Sequence, residues 1–176
     1  MYRKSVIRDS KIEIVDTTLG EYNLSDSEVL LEVKYSSICG SDIQSLMGSS
    51  TPSVDVIGHE FSGRPIRVGK NVSNEVIGKL FNVQPNIHCG KCKLCKKGAY
   101  SLCKEKKSYG VTLDGGFSSL AIVRIDNLVE VDETYREKSC LLEPVSCCIR
   151  AIERADPKPG SEVLILGAGF TGAVMS

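Results

Sequence analysis

Four cysteines within fifteen positions constrain this chain more than any other feature of its sequence. Cys89, Cys92, Cys95 and Cys103 form a C-x2-C-x2-C-x7-C array. Four thiolates can close a tetrahedral shell around zinc and leave no open position, which is the arrangement of a structural zinc site. The array therefore predicts a loop that folds around one metal ion.

Lysines surround the cysteine array. A zinc ion with four thiolates carries two net negative charges, and nearby cations favour the thiolate form of cysteine. Three other interpretations stay open: an iron–sulfur cluster, a zinc knuckle that binds nucleic acid through its lysines, and a solvated loop with incidental cysteines. The lysines are Lys91, Lys93, Lys96, Lys97, Lys104, Lys106 and Lys107.

The composition limits the class of protein. The 176 residues suit one domain or slightly more. The 22 basic side chains balance the 22 acidic ones, which argues against nucleic acid or a membrane surface as the partner. No apolar run approaches the roughly 20 residues of a membrane helix, and the start of the chain does not resemble a secretory signal. We therefore expect a cytoplasmic, reducing environment, in which cysteines are ligands or buried residues rather than disulfides.

Hydrophobic periodicity predicts a β-rich chain. Alternation of apolar and charged residues indicates a half-buried strand at 28–36. A short helix is predicted at 39–46 and a longer one at 140–154, the second beginning near Pro144. Turn residues at 156–160 mark a domain boundary, and the apolar run at 162–166 is typical of a fully buried parallel strand. Further strands are predicted at 76–83, 117–123 and 127–131.

A second group of possible metal ligands is spread along the chain. Cys39, His59 and Glu143 offer a thiolate, an imidazole and a carboxylate. Three protein ligands leave a fourth position for water or substrate, as in a catalytic zinc site. Each signal is weak alone, because single cysteines and histidines are more often buried core residues.

Several segments together resemble the zinc-dependent branch of the medium-chain dehydrogenase/reductase family. Glu143, in place of a cysteine, is more similar to the polyol and sugar-alcohol dehydrogenases. The resemblance covers nearly all of the chain. The segments are SSICGSDIQ at 36–44, IGHEFSG at 57–63, CGKCKLCKKGAYSLC at 89–103, LDGGFSSLAIV at 113–123, LLEPVSCCIRAI at 141–152 and VLILGAGFTG at 163–172.

The resemblance implies a fold. It predicts a mainly β chain with short helices: a GroES-like, partial β-barrel catalytic domain at 1–155, then the first strand and turn of a truncated Rossmann domain at 156–176. Gly167, Gly169 and Gly172 form a G-x-G-x-x-G between a predicted strand and a helix, which is the context of a dinucleotide-binding turn. Because the chain ends at Ser176, we expect an N-terminal fragment that is inactive or nearly so by itself.

The resemblance also implies a reaction and its residues. A catalytic zinc on Cys39, His59 and Glu143 assists hydride transfer from a secondary alcohol, polyol or sugar alcohol to NAD or NADP. Ser41 passes the proton away, and Asp42 orients His59. Glu60 lies beside the metal and can replace another ligand. The second, structural zinc belongs to the four-cysteine array, and the full-length protein is expected to be a homo-oligomer without nucleic-acid or membrane partners.

Some positions depart from the family pattern. Gln44 stands where many relatives have a proton-relaying histidine, and glutamine does not titrate near neutral pH. Pro65 falls within a predicted strand although proline has no N–H to donate. For Cys140, Cys147 and Cys148 no ligand role is predicted, and we expect buried positions on the helix.

Two further hypotheses remain open from the sequence. The chain can be a zinc module that binds a partner without catalysis, in which case Cys39, His59 and Glu143 need not converge. Alternatively, it can be a redox-linked or nucleic-acid-linked zinc ribbon, whose binding to oligonucleotides depends on salt. The number of zinc ions bound per chain separates the dehydrogenase hypothesis, which requires two ions, from these two alternatives.

Overall fold

The computed structural model describes residues 1–8, 11–47 and 53–176. Short antiparallel strands dominate it. The strands are β1 (Tyr2–Arg8), β2 (Lys11–Thr17), β3 (Glu28–Ser37), β4 (Glu60–Val68), β5 (Phe81–Val83), β6 (Asn86–Ile87), β7 (Lys107–Ser108), β8 (Leu120–Arg124) and β9 (Leu128–Glu130).

Helices are short except near the end of the chain. The α-helices are α1 (Gly40–Leu46), α2 (Lys93–Lys96), α3 (Leu142–Ala155) and α4 (Phe170–Met175). Single 3-10 turns or short 3-10 helices occupy Leu19–Glu21, Asn74–Val76, Tyr100–Leu102, Ile125–Asn127 and Glu133–Leu141. The mainly β fold with short helices is therefore confirmed.

One five-stranded sheet, in the order β8-β3-β4-β5-β9, contains the core. All its paired neighbours run antiparallel, and β1–β2 and β6–β7 form two separate two-stranded antiparallel sheets. The sheet stays open, without closure into a barrel among the described residues. Its largest buried core side chains include Val29, Leu31, Phe61, Val83 and Val123.

β3 differs from the half-buried strand that its alternating sequence predicts. Val29, Leu30 and Leu31 are all fully buried, so both faces of its first half are covered. Only the second half alternates between more and less exposed positions. β3 is a central strand whose two edges pair with β8 and β4, and the 3-10 helix Glu133–Leu141 packs against it.

Two other predicted strands are shorter than expected. The stretch 76–83 forms a strand only at β5, because a 3-10 turn at Asn74–Val76 and the positive φ of Gly78 (+79°) interrupt it. The stretch 117–123 begins pairing in β8 only at Leu120. The third, 127–131, agrees with β9 to within one residue at each end.

Pro65 lies inside β4 without leaving a ladder position unsatisfied. It pairs with Leu31 at a register shift between Leu30 and Leu31, and the contacts of β4 with β5 extend only over Ser62 and Gly63. The Pro65 carbonyl accepts a hydrogen bond from Gly78 N–H at 3.0 Å. The missing donor of the proline ring is thus accommodated at an irregularity of the sheet.

The prediction of a buried parallel strand at 162–166 is wrong for this structure. The segment is not paired with any described strand, and Val163, Leu164 and Leu166 are 65%, 83% and 88% exposed. A parallel strand requires hydrogen-bonded neighbours, and no described residue supplies one here. Helix α3, in contrast, forms close to its predicted limits, beginning at Leu142.

The three cysteines without a predicted ligand role divide into two groups. Cys140 and Cys148 are buried, as predicted, but Cys147 is exposed. Cys148 faces α4, where its Sγ lies 3.8 Å from the Thr171 carbonyl, whereas Cys147 lies on another side of α3. No described helix is both long enough and apolar enough to cross a membrane.

Candidate metal centres

The end of the β3–β4 ladder brings the first group of ligands together. Ser37 and Glu60 are the last paired residues of this ladder. Cys39 follows two positions after Ser37 as the residue that begins α1, and His59 immediately precedes Glu60. Antiparallel pairing therefore places residues that are twenty positions apart in sequence beside one another.

Cys39, His59 and Glu60 each place one potential ligand atom within 4.8 Å of those of the other two. Glu60 is buried and the other two are partly buried. A thiolate, an imidazole nitrogen and a carboxylate oxygen form a donor set that zinc accepts. Glu60, expected only beside a metal, is thus part of the ligand group itself.

Asp42 connects Cys39 and His59 from the first turn of α1. Its carboxylate is 4% exposed, and Oδ2 accepts the Cys39 backbone N–H at 2.9 Å. Oδ1 lies 3.5 Å from His59 Nδ1. This ion pair raises the pKa of His59 to about 9 in the metal-free chain, against the opposing effect of burial.

The protonatable nitrogens of His59 fit a metal site. Nδ1 is buried and faces Asp42 without a hydrogen bond, even though the two atoms are at ion-pairing distance. With Nδ1 on the Asp42 side, Nε2 is the nitrogen left to bind a metal. A carboxylate behind a metal-binding histidine is a frequent arrangement, because it fixes the orientation of the ring.

Glu143 lies near this group but outside it. It occupies the first turn of α3, where burial is the main cause that raises the pKa of its carboxyl. The charge of His59 lowers the pKa of Glu143, whereas the charge of Glu60 raises it. The three groups therefore interact electrostatically. Its Oε1 is 3.8 Å from Cys147 Sγ.

Two side chains near the site are exposed on α1. Ser41, the predicted proton-transfer hydroxyl, lies in the first turn of the helix beside buried Asp42. Gln44 lies one turn further on and is also exposed. Both positions face solvent, which is compatible with a route for protons out of the site.

Sequence reasoning missed Ser37. Its hydroxyl donates a short hydrogen bond to Glu60 Oε2. The signal that could have revealed it is positional: a polar residue at the end of a strand, two places before a predicted ligand and opposite a carboxylate on the next strand. That pairing depends on the register of β3 and β4, which a single strand's sequence does not give.

The four cysteines of the array converge in a compact loop. Their sulfur atoms lie within 4.8 Å of one another, with Cys89 Sγ and Cys95 Sγ 3.9 Å apart. Backbone N–H groups point at the sulfurs: Cys92 N–H at Cys89 Sγ and Cys95 N–H at Cys92 Sγ, each at 3.4 Å. N–H donors of this kind accompany thiolates, so the loop is preformed for a four-thiolate metal site.

The pKa values of these thiols diverge in the metal-free chain. The Cys95 N–H is the leading cause that lowers the pKa of Cys92 to about 7. Burial is the leading cause that raises the pKa of Cys95 to about 12, and the Cys89 N–H lowers the pKa of Cys103. All seven lysines of the loop are exposed. The main cause of the lowered pKa values of Cys92 and Cys103 is hydrogen bonding from backbone N–H groups, not the charge of these lysines.

The glycine turn forms locally as predicted. Gly167 has a φ of +105°, and Gly169 precedes the first residue of α4. A Cβ on Gly172 would lie 1.9 Å from the Gly167 carbonyl oxygen, so the helix can approach the turn only with glycine there. Close approach of helix and turn is the role of the third glycine in dinucleotide-binding turns.

Comparison with known proteins agrees with this geometry. The sequence profile described as "Alcohol dehydrogenase GroES-like domain" matches residues 25–133. D-arabinitol dehydrogenase 1 of Uromyces fabae is 33% identical over 170 residues, which are 96% of this chain and 48% of the relative.

Solved structures show the same similarity. Galactitol-1-phosphate dehydrogenase from Escherichia coli has a TM-score of 0.89 and 26% identity, over 99% of this chain and 51% of that one. A proposed zinc-binding dehydrogenase from Sinorhizobium meliloti 1021, bound to NADP, has a TM-score of 0.90 and 28% identity, over 99% of this chain and 52% of that one. The chain thus spans about half the length of the relatives it matches. From the profile match and the shared fold, the chain belongs to the alcohol dehydrogenase GroES-like domain family, in the zinc-dependent medium-chain dehydrogenase group.

Proposed function

We propose that this chain forms the catalytic domain of a zinc-dependent alcohol or polyol dehydrogenase. The observation that carries the proposal is the convergence of Cys39, His59 and Glu60 at one end of the β3–β4 ladder. A purely structural zinc protein has no need of this second group. The proposed domain extends over 1–155, and 156–176 begin a nucleotide-binding domain.

Each residue of the site has a proposed task. Cys39 and His59 hold the catalytic metal, and the carboxylates of Glu143 and Glu60 are its alternative third ligands. When bound, the metal supplies Lewis acidity that lowers the pKa of an alcohol. Asp42 keeps the imidazole ring of His59 oriented, and the Ser41 hydroxyl takes the proton of the substrate and passes it toward solvent.

The proposed reaction oxidises a secondary alcohol with NAD or NADP as the hydride acceptor. Polyols and sugar alcohols are the proposed substrate class, because the similar proteins include a D-arabinitol dehydrogenase and a galactitol-1-phosphate dehydrogenase. Gly167, Gly169 and Gly172 are proposed to contact the cofactor's pyrophosphate. We expect the 176-residue chain alone to show little or no turnover, because one glycine turn supplies only a small part of a dinucleotide site.

Metal counting on purified variants tests the proposal. The chain is expected to bind two zinc ions, His59→Ala one, and Cys92→Ser one, because the two sites share no ligand. Cys147→Ser is the matched control for Cys92→Ser alone, since this cysteine is exposed and lies outside the four-cysteine array, whereas its Sγ contacts Glu143. A wild-type chain that binds one zinc, retained in full by His59→Ala, contradicts the dehydrogenase assignment.

A non-enzymatic zinc module is the second candidate. The four-cysteine loop displays seven exposed lysines, with exposed Tyr100 and Leu102 beside them. Such a surface suits partner binding. This candidate predicts one firmly bound zinc and no effect of His59→Ala on metal content, so the same experiment separates the two.

A further inference from the structure

Ser37 and Glu60 form a cross-strand pair at the end of the ladder that carries the candidate catalytic metal site. Side chains opposite each other in an antiparallel pair lie close enough to interact directly. The Ser37 hydroxyl donates to Glu60 Oε2. Glu60 is 5% exposed, so its carboxylate has little water to replace this donor.

This hydrogen bond makes the two oxygens of the Glu60 carboxylate different from each other. Oε2 accepts the hydrogen bond from the hydroxyl, while Oε1 does not take part in this bond, and one carboxylate oxygen lies in the group formed with Cys39 and His59. Ser37 itself is partly buried and occupies the last paired position of β3, opposite Glu60. The hydroxyl therefore restricts the rotation of the Glu60 side chain from a fixed position.

We propose that Ser37 is a positioning residue for the catalytic metal: its hydroxyl holds the Glu60 carboxylate toward Cys39 and His59 and so makes it a ligand. The proposal rests on the metal site described above and deepens it. Partners behind metal ligands orient them, and their loss typically costs ten- to a hundredfold in metal affinity. Ser37 acts through Glu60, the carboxylate to which its hydroxyl donates.

Cobalt binding provides a readout that is independent of turnover. Co²⁺ added to the metal-free 176-residue chain gives a thiolate absorption band at the Cys39 site, and His59→Ala, which keeps the four-cysteine cluster, supplies the blank. Competition with a chelator gives the affinity. Ser37→Ala is expected to lose roughly ten- to a hundredfold in Co²⁺ affinity at this site and to change its absorption spectrum.

Two variants separate positioning from a general effect on folding. Ser37→Thr retains a hydroxyl and is expected to restore most of the affinity. Ser36→Ala is the matched control, because its hydroxyl donates to the Gly116 carbonyl at 2.9 Å and does not contact Glu60. It is expected to leave the affinity and the spectrum unchanged.

A double variant tests whether Ser37 acts through Glu60. In a Glu60→Gln background, Ser37→Ala is expected to cause no further loss of affinity, because the ligand that it positions is already absent. Equal losses in both backgrounds, or unchanged affinity of Ser37→Ala alone, overturn the inference while the metal site stands. A wild-type chain with no Co²⁺ band beyond that of His59→Ala overturns the metal site as well.

Discussion

His59 and Asp42 form a buried ion pair, with Nδ1 of the imidazole 3.5 Å from Oδ1 of the carboxylate. The same carboxylate accepts the backbone N–H of Cys39 through its other oxygen. One side chain of α1 thereby orients the imidazole of His59 and fixes the backbone of Cys39, the two proposed metal ligands. Cys39 lies between β3 and α1 and His59 immediately before β4, and Asp42 couples their positions.

This ion pair predicts a pH-dependent stability of the metal-free chain. The pKa of His59 is raised from 6.5 to about 9, so the folded chain keeps a proton that the unfolded chain loses. The stabilisation is complete below pH 6.5 and disappears as the pH rises through 9. In between, the free energy of unfolding should fall by up to about 1.4 kcal/mol per pH unit.

Asp42→Asn tests that pH dependence. Asparagine retains an oxygen for the Cys39 N–H but removes the charge that raises the pKa of His59. Urea unfolding of the chelator-treated variant from pH 6 to 9.5 should show a weaker decline than that of the wild type. An identical decline in both proteins contradicts the assignment.

Zinc binding to the wild type should also release a proton at neutral pH, because zinc requires the neutral imidazole.

The surroundings of Gly58 predict a steric effect of substitution next to His59, the proposed metal ligand. Its φ is +92°, and an added Cβ would lie 2.5 Å from the ring of Phe117. Gly58→Ala should therefore cost both backbone strain and overpacking, about 1–3 kcal/mol for the latter. It should also weaken metal binding at His59.

Gly78→Ala is the matched control for this effect. Gly78 has a φ of +79° but no atom within 4 Å of an added Cβ. The difference between the two variants in thermal unfolding therefore measures the contact with Phe117 alone. Equal destabilisation of both variants would show that backbone strain at positive φ accounts for the whole loss of stability in Gly58→Ala.

The four-cysteine loop should lose its order without its metal. Cys92→Ser removes one thiolate of a closed site, so we expect the variant to release zinc and the loop at 88–104 to become sensitive to protease. The Cys147→Ser control should keep the zinc of this loop, and its loop should stay resistant to protease. Full zinc content and an intact loop in Cys92→Ser would mean that the site is misassigned.

The chain should not bind NADH measurably. The turn at Gly167 and Gly169 offers a few backbone N–H groups, but adenine, ribose and nicotinamide need contacts elsewhere in a nucleotide-binding fold. Binding must also offset on the order of 4–15 kcal/mol of lost translational and rotational freedom. Titration followed by NADH fluorescence should give no saturation at micromolar concentrations, and a saturable signal would contradict this prediction.

The sequence predicted ligand identities better than it predicted their arrangement. The spacing of Cys89 to Cys103 places all four ligands in one short loop, so local sequence is sufficient to predict that cluster. Glu60 and Ser37 depend on the register between two strands, which is a tertiary property. The prediction at 162–166 failed for a related reason: an apolar run specifies a buried strand only if neighbouring strands are present to pair with it.

The position of Ser37 and Glu60 at the last rung of the ladder has a consequence for local unfolding. Strand ends fray first, and amide hydrogen exchange reports that opening. Because Cys39 and His59 flank this rung on the two strands, an ion held between them stabilises the closed form by mass action. Metal occupancy should therefore slow amide exchange around Ser37 and Glu60 while the opposite end, where Val29 pairs with Val68, keeps its own rate. An ion bound at this proposed site would thereby also complete the folding of the strand ends that hold it.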